Sequence, residues 1–241
     1  PYGMVQFTPS YFSKRSGFVI NQLSGGGCEH MGNFPTFPVK GKLKMSPDNI
    51  LNYRINISEE KGHAGYYEAK VQEDIHAKLT VTERTGMASY EYPADQQYGT
   101  VIIGGGISAT PIEQAAIVIT APNKCEGYAE GGNFCGLRTP YKVYFVAEFD
   151  TDALESGTWK RNELKPNTTF AEGEYSGVYF TFDVDKKKNV QYKIGVSYVS
   201  VENARENLKA ENTGWDFLQI QNQAESKWNH YLGKIEVEGT N

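Results

Sequence analysis

The chain has 241 residues, 39% of them hydrophobic, and a net charge of −5. This length fits one large domain or two small ones, whereas the acidic balance argues against nucleic acid or an anionic membrane as a partner. The sequence has no apolar run of about 18 residues, so it predicts no membrane-spanning segment. No signal peptide is recognisable, and the opening "PYGMVQF" is typical of the interior of a longer protein.

Alternating apolar and polar residues predict β-strands up to residue 199. In the clearest example, Ile75, Ala77, Leu79 and Val81 share one face. Turn-forming sequences such as "EGGN" and "DKKKN" separate the strands, and we expect residues 160–174 to form a surface loop. Many short strands with little helix between them predict a mainly β fold, a large antiparallel β-sandwich. The predicted strands cover residues 66–71, 75–82, 89–92, 101–103, 117–120, 141–149, 178–184 and 190–198.

The pattern changes to a helical period near residue 200. Ser200 is the predicted N-cap of a first helix and Thr213 that of a second, with Asp216 as its capping-box partner. Gly233 is expected to end the second helix, and "KIEVEG" after it alternates as a short strand. We therefore predict a sandwich domain in residues 1–199 and a helical linker in residues 200–241. The second helix carries an apolar stripe at Phe217, Ile220, Ala224, Trp228 and Tyr231. It is expected to pack on the sandwich through Phe217, Ala224 and Trp228.

Three cysteines, at positions 28, 125 and 135, leave two interpretations open. Glycines between Cys125 and Cys135 permit a sharp turn, so we expect these two residues to lie close together and Cys28 to remain unpaired. Three free thiols are at least as consistent with the spacing, because a disulfide also requires a suitable distance between the two Cα atoms.

The segment "NQLSGGGCEHMGNFP", residues 21–35, contains three consecutive glycines, whose conformational cost needs a reason. A phosphate-binding loop would need Lys and Ser or Thr after the glycines, and a nucleophile elbow would need a glycine two residues before the serine. Cys28 and His30 have no matching pair elsewhere, which argues against a zinc site. Two interpretations remain open: a tight backbone crossing within the sandwich, or a loop whose amides approach a ligand closely.

Carboxylates are abundant, but no pair of them stands in a recognisable catalytic motif. Glu83 would be a buried carboxylate if the strand from Ile75 continued that far, and we favour a strand that ends at Thr82. Acid–base hydrolysis of a sugar linkage, for example, needs two carboxyl groups across the sugar, and the 29 acidic residues offer no distinguished pair. We therefore predict no catalytic residue and no metal ligand in this chain.

Motifs along the whole chain are similar to those of one known family. "PYGMVQFTP" is similar to its opening P-F-G-M-V-Q-x-S-P, and "LSGGGCEHMGNFP" to its L-S-G-T-G-C-x-x-x-G-D-F-P segment. "GYYEAKV", "AKLTVTERTGMASYEYP", "YKVYFVAEF" and "SGTW" resemble later strands, and "GVSYVSVENARENLKAENTGWDF" with "WNHYLGKIEVEG" resembles its double helical linker. The chain therefore resembles the N-terminal domain of glycoside hydrolase family 92, the calcium-dependent exo-α-mannosidases.

The resemblance implies a supersandwich of the galactose-mutarotase-like type, packed against its own C-terminal α/α-barrel domain beyond residue 241. It implies hydrolysis of a terminal α-mannosyl linkage with inversion, on a mannose-containing glycan. The general acid, the base and the calcium ligands would come from the barrel, so residues 1–241 alone are expected to be inactive. A secreted, periplasmic or cell-surface location is also implied. The alternative is a stand-alone, non-catalytic carbohydrate-binding sandwich.

Two glycine-rich segments, residues 21–35 and 126–136, form the candidate sugar-binding site, because both carry polar groups without an obvious structural role. Gln22 stands where many members of the family have a histidine. We predict that the two segments meet at one edge of the sandwich and shape part of the mannose pocket without performing the chemistry. The candidate substrate-binding residues are Gln22, Ser24, Gly25, Gly26, Cys28, Glu29, His30, Glu126, Phe134 and Cys135.

Overall fold

The structure is a computed structural model that describes residues 3–9, 17–22, 28, 30–48 and 56–235. Within these ranges sixteen β-strands are present, and each of the predicted strands is confirmed with small shifts at its ends. The strands are β1 Thr8–Pro9, β2 Phe18–Val19, β3 Thr36–Lys40, β4 Ile57–His63, β5 Tyr66–Val71, β6 Ile75–Val81, β7 Thr85–Glu91, β8 Tyr98–Ile103, β9 Ile112–Ala121, β10 Lys124–Phe134, β11 Leu137–Phe149, β12 Glu155–Lys160, β13 Glu163–Pro166, β14 Phe170–Glu172, β15 Ser176–Asp183 and β16 Asn189–Ser197.

In the described part of the chain the strands form a seven-stranded and a nine-stranded sheet. Their orders are β1-β2-β3-β8-β15-β12-β13 and β14-β9-β10-β11-β16-β7-β6-β5-β4. Every paired neighbour runs antiparallel. The sheets pack face to face, since the ring of Phe149 on β11 lies 4.9 Å from that of Phe180 on β15. The predicted antiparallel sandwich is confirmed.

The core lies between the two sheets, because each strand turns its apolar face inward. On β6, Ile75, Ala77 and Leu79 are at most 1% exposed, while His76 and Lys78 between them face outward. Aromatic side chains fill much of the space, and fully buried groups include Trp159, Tyr90, Tyr192, Phe18, Phe34, Phe37, Phe145, Phe149, Phe180 and Phe182.

The predicted surface loop at residues 160–174 is wrong. It contains β13, which pairs with β12, and β14, which pairs with β9. Both are edge strands of their sheets. Edge strands are short and carry polar residues, so they lack the hydrophobic alternation by which the other strands were predicted.

The sequence "EGGN", residues 130–133, is a second wrong prediction, because it lies inside β10 rather than in a turn. Its Gly132 has φ +134° at an irregularity in the pairing with β11, and an added Cβ would lie 2.2 Å from the carbonyl oxygen of Thr139. The glycine permits a β-bulge at close approach. The chain reverses at Cys135 and Gly136 instead, while "DKKKN" does form the predicted turn before β16.

Helix α1, Val201–Glu211, lies on the outer face of the nine-stranded sheet. Ser200 is its N-cap, as predicted, and its hydroxyl accepts the N–H of Asn203 at 3.1 Å. Ala204 and Leu208 are buried against Val146 of β11. The helix therefore extends the packed part of the sandwich by one layer.

Helix α2, Phe217–Leu232, follows on the same face. The predicted N-cap Thr213 is wrong, since the carboxylate of Asp216 accepts the N–H of Gln219 at 3.0 Å and caps the helix. Gly233 ends it, as predicted. The predicted strand "KIEVEG" lies outside the described residues from position 236 onward.

The first half of α2 packs closely on the sheet. Phe217 and Ile220 are buried against Met87 of β7. Ala224 crosses the β4–β5 turn at Gly65, which has φ +91° and where an added Cβ would lie 3.0 Å from the Cβ of Ala224. Within the described ranges neither helix is long and apolar enough to cross a membrane.

Candidate functional site

Residues 20–22, which follow β2, lie beside residues 31–33. Gly32 donates its N–H to the carbonyl of Asn21 at 2.7 Å, and Gln22 forms a β-bridge with Met31. Met31, Gly32 and Phe34 have φ values of +61°, +76° and +53°. Such values cost energy in residues other than glycine and persist only where surrounding contacts hold them. The glycine run therefore lies in the sequence between Gln22 and Met31, two residues that the β-bridge holds together.

His30 connects this segment to the tip of the β10–β11 hairpin. The side chain is 6% exposed, and Nδ1 donates to the carbonyl oxygen of Asn133 at 3.3 Å. The imidazole centroid lies 5.5 Å from the ring of Phe134 and 5.4 Å from that of Tyr141, edge-on in both cases. A carbonyl can only accept, so the neutral ring carries its proton on Nδ1 and leaves Nε2 as an acceptor.

A disulfide joins Cys28 to Cys135, with a Cα–Cα distance of 5.4 Å. The predicted proximity of Cys125 and Cys135 is therefore wrong, as is the unpaired Cys28. The reason is β10: Cys125 lies at its start and Cys135 in the turn just after its end, so the extended strand places the two roughly 30 Å apart. Cys125 is buried in the core with a free thiol, and burial raises its pKa well above the usual range.

A polar network continues inward from the hairpin. The hydroxyl of Tyr141 donates to Oδ1 of Asn33 at 2.7 Å, and the backbone N–H of Asn33 donates to Oδ1 of Asn21 at 2.8 Å. Nδ2 of Asn21 in turn donates to the hydroxyl of Tyr198 at 3.2 Å. Burial raises the pKa of Tyr141 to about 12, so its hydroxyl stays protonated and remains a donor. Nδ2 of Asn33 is buried without a hydrogen-bond partner among the described residues.

A cavity of about 670 Å³ lies beside this network. Gln22, Met31 and Tyr198 line it on one side, and Tyr66 and Trp228 line it on the other. Its volume falls in the range of small-molecule pockets. Oε1 of Gln22 is buried without a hydrogen-bond partner in the described part of the chain, which makes it available to a ligand.

The structure brings together only part of the predicted site. Four candidates meet at the tip of the β10–β11 hairpin, as expected for two segments that share one edge of the sandwich: Cys28, His30, Phe134 and Cys135. Glu126 does not join them: it lies eight residues before Phe134 on β10, roughly 25 Å away, and its carboxylate accepts from Arg205 of α1 at 2.5 Å. The remaining candidates, Ser24, Gly25, Gly26 and Glu29, lie outside the described residues.

The carboxylate of Glu83, considered above as a buried group, lies at the surface. Glu83 lies beyond the end of β6 at Val81 and pairs with Lys227, so the strand ends one residue before the predicted end at Thr82. Among the described residues no three His, Cys, Asp or Glu side chains come together in a way that could hold a metal ion.

The sequence of the chain matches the family model of the Glycosyl hydrolase family 92 N-terminal domain over residues 1–197. The chain belongs to glycosyl hydrolase family 92. Residues 203–241 match the catalytic-domain model of the same family. The resemblance noted in the motifs is thereby confirmed.

A curated protein and several solved structures are similar to this chain. An uncharacterised secreted glycosidase of Arthroderma benhamiae is 25% identical over 251 residues, covering 93% of this chain and 32% of that protein. A family 92 α-mannosidase from Bacteroides thetaiotaomicron superposes with a TM-score of 0.85 at 23% identity, covering 100% of this chain and 36% of its own. An inverting mannosidase of the family from the same organism gives a TM-score of 0.81 at 23% identity, with 100% and 33% coverage.

These solved structures share the fold with this family 92 chain, which spans about a third of the length of the relatives it matches. The α-mannosidase has also been solved in complex with mannoimidazole.

Four residues of the network, Asn21, Asn33, Tyr141 and Tyr198, were missed by the sequence analysis. A signal existed for Asn33, which stands where the family 92 motif quoted above has the Asp of G-D-F-P. Tyr141 was counted as the first core residue of its strand, since alternation indicates a face and does not show that the strand end reaches a polar cluster. Nothing in the local sequence marks Asn21 or Tyr198.

Proposed function

We propose that this chain is the N-terminal domain of a calcium-dependent, inverting exo-α-mannosidase and forms one wall of its mannose pocket. The observation that carries the proposal is the match of residues 1–197 and 203–241 to the N-terminal and catalytic models of one glycosidase family. The second match also supports a catalytic α/α-barrel continuing from α2, and so argues against the alternative of a stand-alone carbohydrate-binding module. The α-mannosidase relative with mannoimidazole supports mannose as the sugar.

The proposed wall consists of the edge where the two glycine-rich segments meet. His30 offers Nε2 as an acceptor for a sugar hydroxyl, and Gln22, which lines the cavity of about 670 Å³, offers its unpaired Oε1 as a second acceptor. A pocket with few, fixed polar groups orients its ligand. Ser24, Gly25, Gly26 and Glu29 belong to the proposal as further contacts, and Glu126 is left out of it.

The chemistry is assigned to the catalytic domain. Inversion needs two carboxyl groups about 6.5–9.5 Å apart with a water between them. We propose that the catalytic domain supplies this pair together with the calcium ligands, because the described residues of this chain offer no cluster suited to the ion. The contribution of residues 1–241 is to bind and orient the terminal mannose.

We also propose a secreted, periplasmic or cell-surface location. The Cys28–Cys135 disulfide supports it, since such bonds form in oxidising compartments. The relative described as a secreted glycosidase supports it as well.

The proposal is tested with two proteins, residues 1–241 alone and the full-length enzyme. The substrates are an aryl α-mannoside and α-linked mannobioses. The full-length enzyme should release free mannose, lose activity in a chelator and regain it with calcium, whereas residues 1–241 should show no turnover. Calcium-dependent turnover by the purified 241 residues would overturn the division of labour between the two domains.

The pocket wall is tested in the full-length enzyme by His30→Ala. Loss of a positioning contact should lower kcat/KM by about 10–100-fold, mainly through KM. His76→Ala is the matched control, because His76 lies on the outer face of β6, 37% exposed, where it contacts Glu68. Equal effects of the two substitutions would show that His30 acts only through general stability.

A further inference from the structure

The three cysteines differ in the access that a thiol reagent has to them. Cys125 is fully buried, and burial keeps it protonated, so it is chemically inert. Cys135 is exposed at the tip of the β10–β11 hairpin, and Cys28 is half-buried beside it. Attack by a thiolate is therefore directed to the Cys28–Cys135 bond, and it comes from the side of Cys135, the more exposed of the two residues.

The two sides of this bond depend on it unequally. On the hairpin side, Cys135 and Gly136 form a two-residue turn with φ +54° and +83°, between the paired residues Phe134 and Leu137. Oδ1 of Asn133 accepts the N–H of Gly136 at 2.9 Å. This contact and the pairing of Phe134 with Leu137 both lie within the hairpin and do not depend on the disulfide. The hairpin tip therefore keeps its shape when the disulfide is cut.

On the other side, the disulfide is a principal link between the residue 28–30 stretch and the hairpin. The other described contacts between them are all made by His30: one hydrogen bond of 3.3 Å to Asn133 and two edge-on ring contacts. A hydrogen bond of that length is weak. Cutting the bond at Cys28 removes the covalent tie and leaves these weaker contacts in place.

We propose that the Cys28–Cys135 disulfide is a redox switch of sugar affinity, a form of regulation that rests on the proposed mannose pocket at this edge. A dithiol reductant delivers the change. Its thiolate attacks Sγ of Cys135 and expels Cys28 as a thiolate, which takes up a proton. The second thiol of the reductant then attacks the mixed disulfide, releases Cys135 as a thiol and closes its own disulfide. Two electrons and two protons pass to the protein, and the folded sandwich persists.

The chemical part of the switch is tested by labelling the full-length protein. After mild dithiothreitol treatment and alkylation, peptide mass spectrometry should find labels on Cys28 and Cys135 and none on Cys125, with an unchanged far-ultraviolet circular dichroism spectrum. Labelling of all three together would mean that reduction requires global unfolding. That result, or no labelling below the unfolding transition, overturns the proposal.

The functional part is tested by aryl α-mannoside kinetics on the full-length enzyme, oxidised and reduced. Reduction should raise KM about tenfold with a smaller effect on kcat. Without the disulfide, part of the binding free energy of the sugar is used to order the pocket wall. Reoxidation should restore the low KM. A merely structural bond would lower the active fraction and leave KM unchanged, which overturns the proposal.

Cysteine variants separate the switch from other effects of reductant. The double variant Cys28→Ala/Cys135→Ala should show the raised KM and no response to dithiothreitol, whereas Cys125→Ala should respond like the parent protein. If no mannoside is turned over in either redox state, the proposed function fails. The switch is then judged by hydrogen exchange, where faster exchange at residues 30–33 after reduction supports it and unchanged exchange overturns it.

Discussion

Helices α1 and α2 lie on the same face of the nine-stranded sheet but are attached in different ways. α1 is held along its whole length: Ala204 and Leu208 are buried, Asn207 donates to the carbonyl of Val196 at 2.8 Å, and Arg205 pairs with Glu126. α2 is buried only in its first half, at Phe217, Ile220 and Ala224, and Leu232 at its end is 58% exposed.

A second cavity, of about 370 Å³, lies beneath the far half of α2. Val81 and Glu83 line it from the sheet, and Lys227, Trp228 and Tyr231 line it from the helix. The predicted packing of α2 through Phe217 and Ala224 is confirmed, whereas Trp228 is only partly buried. The comparison teaches that an apolar stripe fixes which face of a helix turns inward and leaves open how far along the helix the contact extends.

The largest expected effect contrasts the two ends of α2. Phe217→Ala should lower the free energy of unfolding by about 4 kcal/mol, since the ring is 7% exposed and packs on Met87. Trp228→Ala should cost about 1 kcal/mol in the same urea titration of residues 1–241, because much of its ring already faces a cavity. Equal losses would show that α2 is attached along its whole length, like α1.

The next effect concerns α1. Leu208→Ala should cost about 3 kcal/mol, because the side chain is 3% exposed against Ala204 and Val146. Leu218→Ala on α2 is the matched control: Leu218 is 65% exposed, so the change should stay within about 0.5 kcal/mol. A large loss at Leu218 would contradict the assigned orientation of α2.

A smaller effect is expected at the end of α1, where Glu211 ties the helix to the β6–β7 turn. One carboxylate oxygen accepts from the hydroxyl of Thr82 at 2.5 Å and from the N–H of Arg84 at 2.9 Å, and the other accepts from Nε of Arg84. Glu211→Gln should cost about 2 kcal/mol, because a charged acceptor with several donors is lost. Glu206→Gln, on the exposed face of the same helix, should leave the free energy of unfolding unchanged in the same urea titration.

The smallest effect concerns the Lys227–Glu83 pair, the ionic contact of the far half of α2. Its hydrogen bond holds the pKa of Glu83 below the usual range. A carboxylate whose folded pKa is depressed stabilises the protein above its unfolded pKa, and this contribution disappears as the pH falls through the folded value. Both side chains are about half exposed, so the contribution should stay below about 1 kcal/mol. The unfolding free energies of the parent and Lys227→Met should therefore converge below about pH 4, and a constant difference down to pH 2 would contradict this.

The fold could be predicted from the sequence wherever a strand buries one face, as in β6, because the alternating pattern records that burial directly. The start of α2 could not. Thr213 and Asp216 are both good caps, and the choice is made by Lys193, which donates to the carbonyl of Asn212 at 3.0 Å and lies 4.3 Å from the ring of Trp215. These contacts hold residues 212–215 out of the helix, and they come from a distant strand.

The candidate site shows the same limit. The meeting of the segments that contain Cys28 and Cys135 was predicted from their shared composition. The disulfide was not, because its partners are 107 residues apart and the pairing depends on whether residues 125–135 form a strand or a loop. Glycines were read as signs of a turn there, while Gly132 in fact serves a bulge inside β10.

The crossing of Ala224 over Gly65 restricts which sequences this fold can adopt. An added Cβ at position 65 would lie 3.0 Å from the Cβ of Ala224 and 3.1 Å from the backbone nitrogen of Glu225, and φ at Gly65 is +91°, so position 65 requires glycine. A library that randomises both positions should return folded members with small residues at each, whereas randomising Gln221, one turn earlier on α2, should return many side chains. A side chain larger than that of Ala224 would likewise displace the turn at Gly65, so the sheet and the helix limit each other's sequence at this point.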